Sequence, residues 1–143
     1  MMPLIATAQA LMAEGKGLLA MDESIGTCNR RFADLGIAET EESRRRYREL
    51  LVTTPGLSDA ISGAILADET LYQATSDGVP FMEVLRAAGI VAGIKVDAGA
   101  QPLALHTGER ITEGLDGLRE RLQGYAAMGA AFAKWRAVLV VAA

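Results

Sequence analysis

The chain has 143 residues, of which half are hydrophobic and 22% are charged, and its formal net charge is −4. This composition is typical of a globular protein that buries a core, and it excludes a chain that is disordered throughout. The acidic balance and an aromatic content of only 5% argue against nucleic-acid binding, which needs an unbalanced basic surface.

The first predicted elements are a helix over residues 1–13 and a strand over 17–21, GLLAM. The N-terminal segment lacks a basic leader and is too short to cross a membrane. A helix over 39–51 is predicted to begin at the N-cap Thr40, with acidic residues in its first turn. Its arginines follow three glutamates, which predicts a helix face covered with salt bridges. These four arginines are Arg44, Arg45, Arg46 and Arg48.

Three further strands are predicted, with helical segments between them. The strands cover 62–67, 90–99 and 132–141, and the helices lie at 81–89 and within 114–132. The last helix places four side chains on one stripe that we expect to be buried: Leu115, Leu118, Leu122 and Tyr125.

The alternation of strands and helices predicts an α/β fold built from four βα units. Four units are half of a (β/α)₈ barrel of typically ~250 residues, although an open α/β sheet has the same local pattern. No GxGxxG or Walker A motif favours a nucleotide-binding sheet. No linker or repeat divides the chain, so residues 1–143 are predicted to be a single domain.

Charged residues interrupt these strands at Asp22, Lys95, Lys134 and Arg136. Lys134 and Arg136 should share one strand face, with Trp135 on the other face under a helix. At the C-terminal mouth of a barrel, an acid and two lysines suit a phosphorylated substrate that bears a carbonyl group. Asp22 is the natural partner for a lysine. The alternatives are lysines that extend to solvent and an aspartate that caps a helix.

Two other residues are given structural interpretations. His106 lies in a polar loop without a second metal ligand, so it is predicted to be a surface residue. Cys28 is the only cysteine, which excludes an intrachain disulfide or a thiolate metal cluster and favours a reducing, cytoplasmic compartment. It is predicted to be unreactive, because no nucleophile motif surrounds it. No metal site is predicted.

Seven segments, in order along the chain, resemble the class I fructose-bisphosphate aldolases. They are GKGLLAMDES at 15–24, ETEESRRRYRELL at 39–51, SGAILADETLYQ at 62–73, DGVPF at 77–81, GIKVD at 93–97, EGLDGL at 113–118 and FAKWR at 132–136. The resemblance implies a (β/α)₈ barrel and reversible cleavage of fructose 1,6-bisphosphate to dihydroxyacetone phosphate and glyceraldehyde 3-phosphate. It also implies a lysine imine in place of a metal, and therefore no cofactor.

The resemblance assigns roles to seven residues. It implies that Asp22 lies near the C4 hydroxyl and that Lys95 and Lys134 surround the carbinolamine and phosphate chemistry. Substrate-binding roles follow for the phosphate-contacting Arg31, for Ser24 and Thr27 in the phosphate-side loop, and for Arg136 in the site wall. The sequence departs from the family pattern at Ile25, which replaces a hydroxyl residue, and at Ala98, which replaces a lysine.

The resemblance also implies an N-terminal part of an aldolase. The imine lysine, the acid/base glutamate and the second phosphate loop belong to later strands of the family, so we expect this chain alone to be inactive. The expected small-molecule partner is a phosphorylated sugar. A second copy of the chain or a C-terminal half is expected as a protein partner, because an open barrel exposes strand edges. No nucleic-acid or membrane partner is expected. The alternative is a noncatalytic half-barrel that binds phosphosugars or serves assembly.

Overall fold

The computed structural model describes residues 3–141. The helices are α1 Leu4–Leu11, α2 Ile25–Asp34, α3 Glu41–Val52, α4 Leu57–Ala60, α5 Asp68–Leu71, α6 Phe81–Ala87 and α7 Leu118–Ala127. The strands are β1 Gly17–Met21, β2 Ile61–Leu66, β3 Val91–Lys95, β4 Gly99–Pro102, β5 Arg110–Glu113 and β6 Phe132–Lys134. Within these described residues, no helix combines the length and the apolar character needed to span a membrane.

Four strands form one parallel sheet in the order β1-β2-β3-β6. The strands of this sheet lie in chain order, as they do in a (β/α)₈ barrel, with β4 and β5 inserted between β3 and β6. Helices contribute to each crossover. All four predicted strands are therefore present in the predicted order, but the strand predicted over 90–99 is too long, because β3 ends at Lys95. The predicted N-terminal helix is confirmed over Leu4–Leu11, while residues 1 and 2 lie outside the described part.

The hydrophobic core lies between one face of the sheet and the helices. Alternate strand residues such as Met21, Leu66 and Ile94 are fully or almost fully buried there, against Phe81 and Leu85 of α6. This alternation follows from the period of two in a strand, which sends every second side chain to the same face. The charged residues at 22, 95 and 134 belong to the opposite face.

On that opposite face, α1 packs against the sheet, and side chains lie very close to two strand glycines. A Cβ on Gly63 would collide with Leu11 of α1, and a Cβ on Gly93 would collide with the Phe132 ring of the neighbouring strand. A side chain at either position would therefore force its neighbour to shift. These contacts bring α1 over β2 and seat β6 directly beside β3.

The predicted strand over 132–141 is too long, because β6 ends at Lys134. A strand needs a hydrogen-bonding partner, and within the described residues β6 pairs with β3 alone, which itself ends at Lys95. Residues 135–141, which follow β6, are not in a strand. Trp135 remains 37% exposed, so the prediction that it packs under a helix is wrong.

A hairpin of β4 and β5 replaces most of the polar loop expected between β3 and the last helix. It begins at Gly99 and is followed by Gly114 and Gly117, and all three have positive φ angles. The helix α7 consequently starts only at Leu118, so Leu115 lies outside it and is exposed. The predicted buried stripe holds for Leu118 and Tyr125 alone, since Leu122 is also exposed.

Candidate active site

Six of the seven predicted site residues meet at the carboxyl ends of the parallel strands. They line a cavity of about 500 Å³. The six are Asp22, Ser24, Thr27, Lys95, Lys134 and Arg136. The carboxyl ends are where barrel enzymes place their chemistry, because loops from several strands converge there.

The first charged pair in this cavity joins Asp22 to Lys134. Lys134 Nζ donates to Asp22 Oδ2 at 2.6 Å, and the lysine side chain is 32% exposed. These residues follow β1 and end β6, the two outermost strands of the sheet. In a flat sheet those strands would lie roughly 14 Å apart, three interstrand spacings. The contact therefore requires the sheet to curve toward a barrel, and the predicted pairing of Asp22 with a lysine is confirmed.

The second pair joins Lys95 to Asp97, a residue that the sequence analysis did not single out. Lys95 Nζ donates to Asp97 Oδ1 at 2.6 Å and to the Asp97 carbonyl oxygen at 2.7 Å. Asp97 Oδ2 also accepts from the Arg136 N–H at 3.2 Å. Burial raises the pKa of Asp97, but the hydrogen bonds from Lys95 and Arg136 outweigh it and hold the pKa below its usual value. In GIKVD, Asp97 follows Lys95 by two residues, a spacing that places both side chains on one face of an extended chain. This spacing could have indicated that Asp97 belongs to the site.

The two lysines are direct neighbours in the sheet. Lys95 and Lys134 are register partners in the parallel pair of β3 and β6. Their side chains lie on the same face, where like charges on adjacent strands repel. Each ammonium has its own carboxylate, Asp97 for Lys95 and Asp22 for Lys134.

Arg136 is the third cation that lines the cavity. In the described range 3–141, its guanidinium group has no salt-bridge partner. Its backbone is fixed from both sides, because its N–H donates to Asp97 and its carbonyl accepts from Thr112 Oγ1 at 2.8 Å. Among the described residues that line the cavity, Arg136 is thus a cation without a salt-bridge partner, which suits an anionic group such as phosphate.

Ser24 and Thr27 lie at the start of α2, on the loop that follows β1. Ser24 is the N-cap, and its hydroxyl accepts from the Thr27 N–H at 3.3 Å and lies 3.1 Å from the Thr27 hydroxyl. A hydroxyl N-cap satisfies a backbone donor that the helix itself leaves unpaired. Both residues therefore have a structural role in addition to lining the cavity. The helix α2 itself was not among the predicted elements.

Arg31 is the predicted site residue that does not line the cavity. Its guanidinium donates to Glu23 Oε1 at 2.7 Å, and its side chain is 60% exposed. Arg31 is on α2, one turn from the end of the helix, whereas Glu23 precedes the helix. The ion pair holds Arg31 beside the loop between β1 and α2.

Glu23 is the centre of a buried network that supports this loop. Arg48, whose side chain is 2% exposed, donates to Glu23 Oε2 at 2.6 Å and to the Glu23 carbonyl oxygen at 3.1 Å. Tyr47 Oη donates to Glu23 Oε1 at 3.3 Å, and the Arg48 guanidinium lies over the Tyr47 ring. Burial raises the pKa of Glu23, but hydrogen bonds, including those from Arg48 and Arg31, outweigh it, so the pKa lies below its ordinary value.

The sequence predicts that the arginines of α3 form a helix face covered with salt bridges, and salt bridges are confirmed for Arg44, Arg45 and Arg48. Arg45 forms the expected pairs within the helix, with Glu42 and Glu49. Arg44 and Arg48 are instead buried, and Arg44 makes a bidentate pair with Glu69 across to α5, with both distances 2.7 Å. These contacts join residues about 25 positions apart, which the local charge pattern does not indicate.

The remaining candidates have no place in the cavity. Cys28 is buried, and burial raises the pKa of its thiol. His106 is exposed on the β4–β5 hairpin loop, in agreement with its predicted surface position. Among the described residues, no group of three or more histidine, cysteine, aspartate or glutamate side chains is arranged to hold a metal ion.

Comparisons with known proteins agree with the resemblance in the sequence. The family model for class-I fructose-bisphosphate aldolase matches residues 3–143. A probable class 1 fructose-bisphosphate aldolase of Xanthomonas axonopodis pv. citri is 64% identical over 136 residues, which are 95% of this chain and 41% of the relative. A cytosolic aldolase of Arabidopsis thaliana is 52% identical, over 96% of this chain and 38% of the relative.

A solved structure shows the same similarity in three dimensions. It is fructose-bisphosphate aldolase from Plasmodium falciparum, in complex with TRAP and a small-molecule inhibitor. The TM-score is 0.92 at 48% sequence identity, over 96% of this chain and 40% of that chain. The chain therefore spans about two fifths of the length of the relatives and of the solved structure that it matches.

Proposed function

The chain belongs to the class I fructose-bisphosphate aldolase family, and we propose that its 143 residues supply part of an active site that reversibly cleaves fructose 1,6-bisphosphate. The products are dihydroxyacetone phosphate and glyceraldehyde 3-phosphate. Family membership and the match to the solved aldolase confirm the predicted fold class, four βα units of the (β/α)₈ barrel architecture, and exclude the open-sheet alternative. The observation that carries the functional proposal is the meeting of two carboxylate–lysine pairs in one cavity.

In this proposal, cations of the cavity hold the phosphorylated sugar. Arg136 has no salt-bridge partner within residues 3–141, so its guanidinium can bind a phosphate without breaking an ion pair there. Ser24 and Thr27 contribute hydroxyl groups from the phosphate-side loop. Arg31 would join them after exchanging Glu23 for a substrate phosphate, because the two anions compete for one guanidinium.

Asp22 is the proposed partner of the C4 hydroxyl. Its carboxylate is held against the Lys134 ammonium and can accept a proton as the bond between C3 and C4 breaks. The electron pair of that bond passes into an imine that a lysine forms with the substrate carbonyl. The chain has three lysines, Lys16, Lys95 and Lys134, and none is assigned this covalent role. We place the imine lysine in the part of the aldolase family that these 143 residues do not match.

The first test is a coupled fructose 1,6-bisphosphate cleavage assay combined with borohydride trapping and intact mass. The 143-residue chain alone should give neither cleavage nor an adduct. A mixture with a polypeptide that covers the unmatched part of the Xanthomonas relative should give both. Asp22→Asn should abolish the rescued cleavage, whereas Lys16→Arg, at the other end of β1, should not change it.

The assay also separates this proposal from a noncatalytic half-barrel. An adduct on Lys95 or Lys134 of the isolated chain would contradict the assignment of the imine lysine. Binding of phosphosugar without rescue by the second polypeptide would favour the noncatalytic function.

We further propose that residues 1–143 fold as a single domain whose edge strands recruit another chain. The outer edges of β1 and β6 have no partner within the described residues, and unpaired edges invite pairing. Size-exclusion chromatography should therefore show self-association of the chain. Addition of the polypeptide that covers the unmatched part of the Xanthomonas relative should suppress it. A monomeric elution profile at all concentrations would contradict this proposal.

A cytoplasmic location is proposed for the chain. The use of a single cysteine supports it. Fractionation of cells that produce the protein at its native level would test this location.

A further inference from the structure

Asp97 accepts hydrogen bonds from two backbone N–H groups in addition to the one from Lys95. Its side chain is only 2% exposed. Its Oδ1 atom accepts from Lys95 Nζ at 2.6 Å and from the Gly99 N–H at 3.2 Å, while Oδ2 accepts from the Arg136 N–H at 3.2 Å. One buried carboxylate thus joins the end of β3, the first residue of the hairpin and the segment after β6.

This position matters because of the charge beside it. Lys95 and Lys134 occupy paired register positions on adjacent parallel strands, whose spacing is about 4.8 Å. Lys134 is held by Asp22, which comes from the far edge of the sheet, so that carboxylate compensates only one of the two lysines. Without Asp97, the Lys95 ammonium would face Lys134 with no counter-ion among its described contacts.

We infer that Asp97 is a positioning residue that holds the Lys95 side chain in the cavity beside Lys134. The same carboxylate fixes the spacing between the strand ends that carry these lysines, through its bond to the backbone of Arg136. The consequence for catalysis rests on the proposed function: Lys95 would meet the anionic group of the substrate as a cation. The structural part of the inference can be tested without any aldolase activity.

The three lysines of the chain make this test direct. Brief acylation with isotope-labelled acetic anhydride, followed by peptide mass spectrometry, gives the reactivity of each amine separately. An amine that is held in an ion pair and hydrogen bonds reacts slowly, so the loss of its carboxylate partner speeds labelling. Lys16 is exposed before β1 and serves as the internal reference.

In Asp97→Asn, Lys95 labelling should rise severalfold relative to Lys16, because the amine is released from its ion pair with the buried carboxylate. Labelling of Lys134 should change far less. Asp22→Asn is the matched control, because it should speed the labelling of Lys134 and leave Lys95 slow. Unchanged Lys95 labelling in Asp97→Asn, or an equal rise at all three lysines, would overturn the inference.

A second measurement covers the case in which Asp97→Asn folds poorly. If the carboxylate serves mainly to hold the Lys95 charge, neutralising Lys95 as well should restore stability. The double variant Lys95→Gln/Asp97→Asn should therefore have a higher midpoint of urea unfolding than Asp97→Asn. If the double variant is no more stable than the single one, Asp97 serves the backbone alone and the inference fails.

Discussion

Asp22 and Lys134 are 112 residues apart in sequence and 2.6 Å apart in space, and they come from the two outermost strands of the sheet. A single ion pair thus bridges the concave face of four strands. Because each residue lies at the carboxyl end of its strand, the pair closes the rim of the candidate site. Its integrity should therefore report on the curvature of the sheet as well as on the chemistry of the cavity.

Replacing Asp22 with asparagine should lower the free energy of unfolding by about 1–2 kcal/mol. Loss of one partner from a fully buried pair costs more, but Lys134 is partly exposed and can be hydrated. Urea unfolding followed by circular dichroism measures the change. Asp77→Asn, in an exposed turn, provides the control and should differ little from the parent chain. Equal stability of Asp22→Asn and the parent would contradict a structural role for the pair.

Arg48 should be among the most sensitive residues of α3. Arg48→Met leaves the carboxylate of Glu23 with less compensation in a largely buried setting, and we expect a loss of about 3 kcal/mol in unfolding free energy. Arg48→Lys should recover only part of it, because an ammonium cannot reproduce the contacts of a planar guanidinium with Glu23 and Tyr47. Arg46→Met on the exposed side of the same helix is the control. Similar losses of unfolding free energy in Arg46→Met and Arg48→Met would show that the buried network around Glu23 does not cause the effect.

Local patterns predicted the strands of this protein better than its contacts. GLLAM was placed as β1 with the observed bounds, because a short apolar run between polar segments has few other uses. The run after Lys134 was equally apolar but is not a strand, since the pairing partner decides where a strand ends. The residue pattern of one segment does not show how long the strand that pairs with it will be.

The candidate site shows the same division. Asp22, Lys95 and Lys134 were identified because a charge within an apolar strand is unexpected, and the cavity brings all three together. Glu23 was missed because its importance depends on Arg48, 25 residues away, and nothing local distinguishes it from a surface glutamate. The resemblance assigns Arg31 to the site, yet in this structure Arg31 does not line the cavity and binds Glu23, a residue of the cavity lining.

Glu49 should make stability depend on pH in the acid range. The Ser76 N–H, Arg45 and the Ser76 hydroxyl all donate to its carboxylate, which lowers its pKa from 4.5 to about 2. A pKa that is lower in the folded state means that the unfolded chain binds the proton first. The stabilisation is therefore complete above pH 4.5 and is lost as the pH falls toward 2.

Thermal unfolding between pH 6 and pH 2 tests this dependence. Glu49→Gln should be less stable than the parent at pH 6, and the difference should shrink on acidification. Glu39→Gln, at an exposed position before α3, should follow the parent at every pH. A gap between Glu49→Gln and the parent that stays constant with pH would rule out the ionised carboxylate as the source.

Gly93 should tolerate no side chain, because the ring of Phe132 occupies the space above it. A methyl group there would push β6 away from β3, and with it Lys134 from its register position beside Lys95. Gly93→Ala should therefore cost about 1–3 kcal/mol of unfolding free energy, as overpacking does. Adding Phe132→Leu should recover part of the loss, since the smaller side chain leaves room for the methyl group.

Gly26→Ala is the control, because Gly26 lies in α2 with open space around it and alanine favours a helix. If Gly93→Ala proved as stable as the parent, the close seating of β6 on β3 would not constrain the lysine-bearing edge of the site.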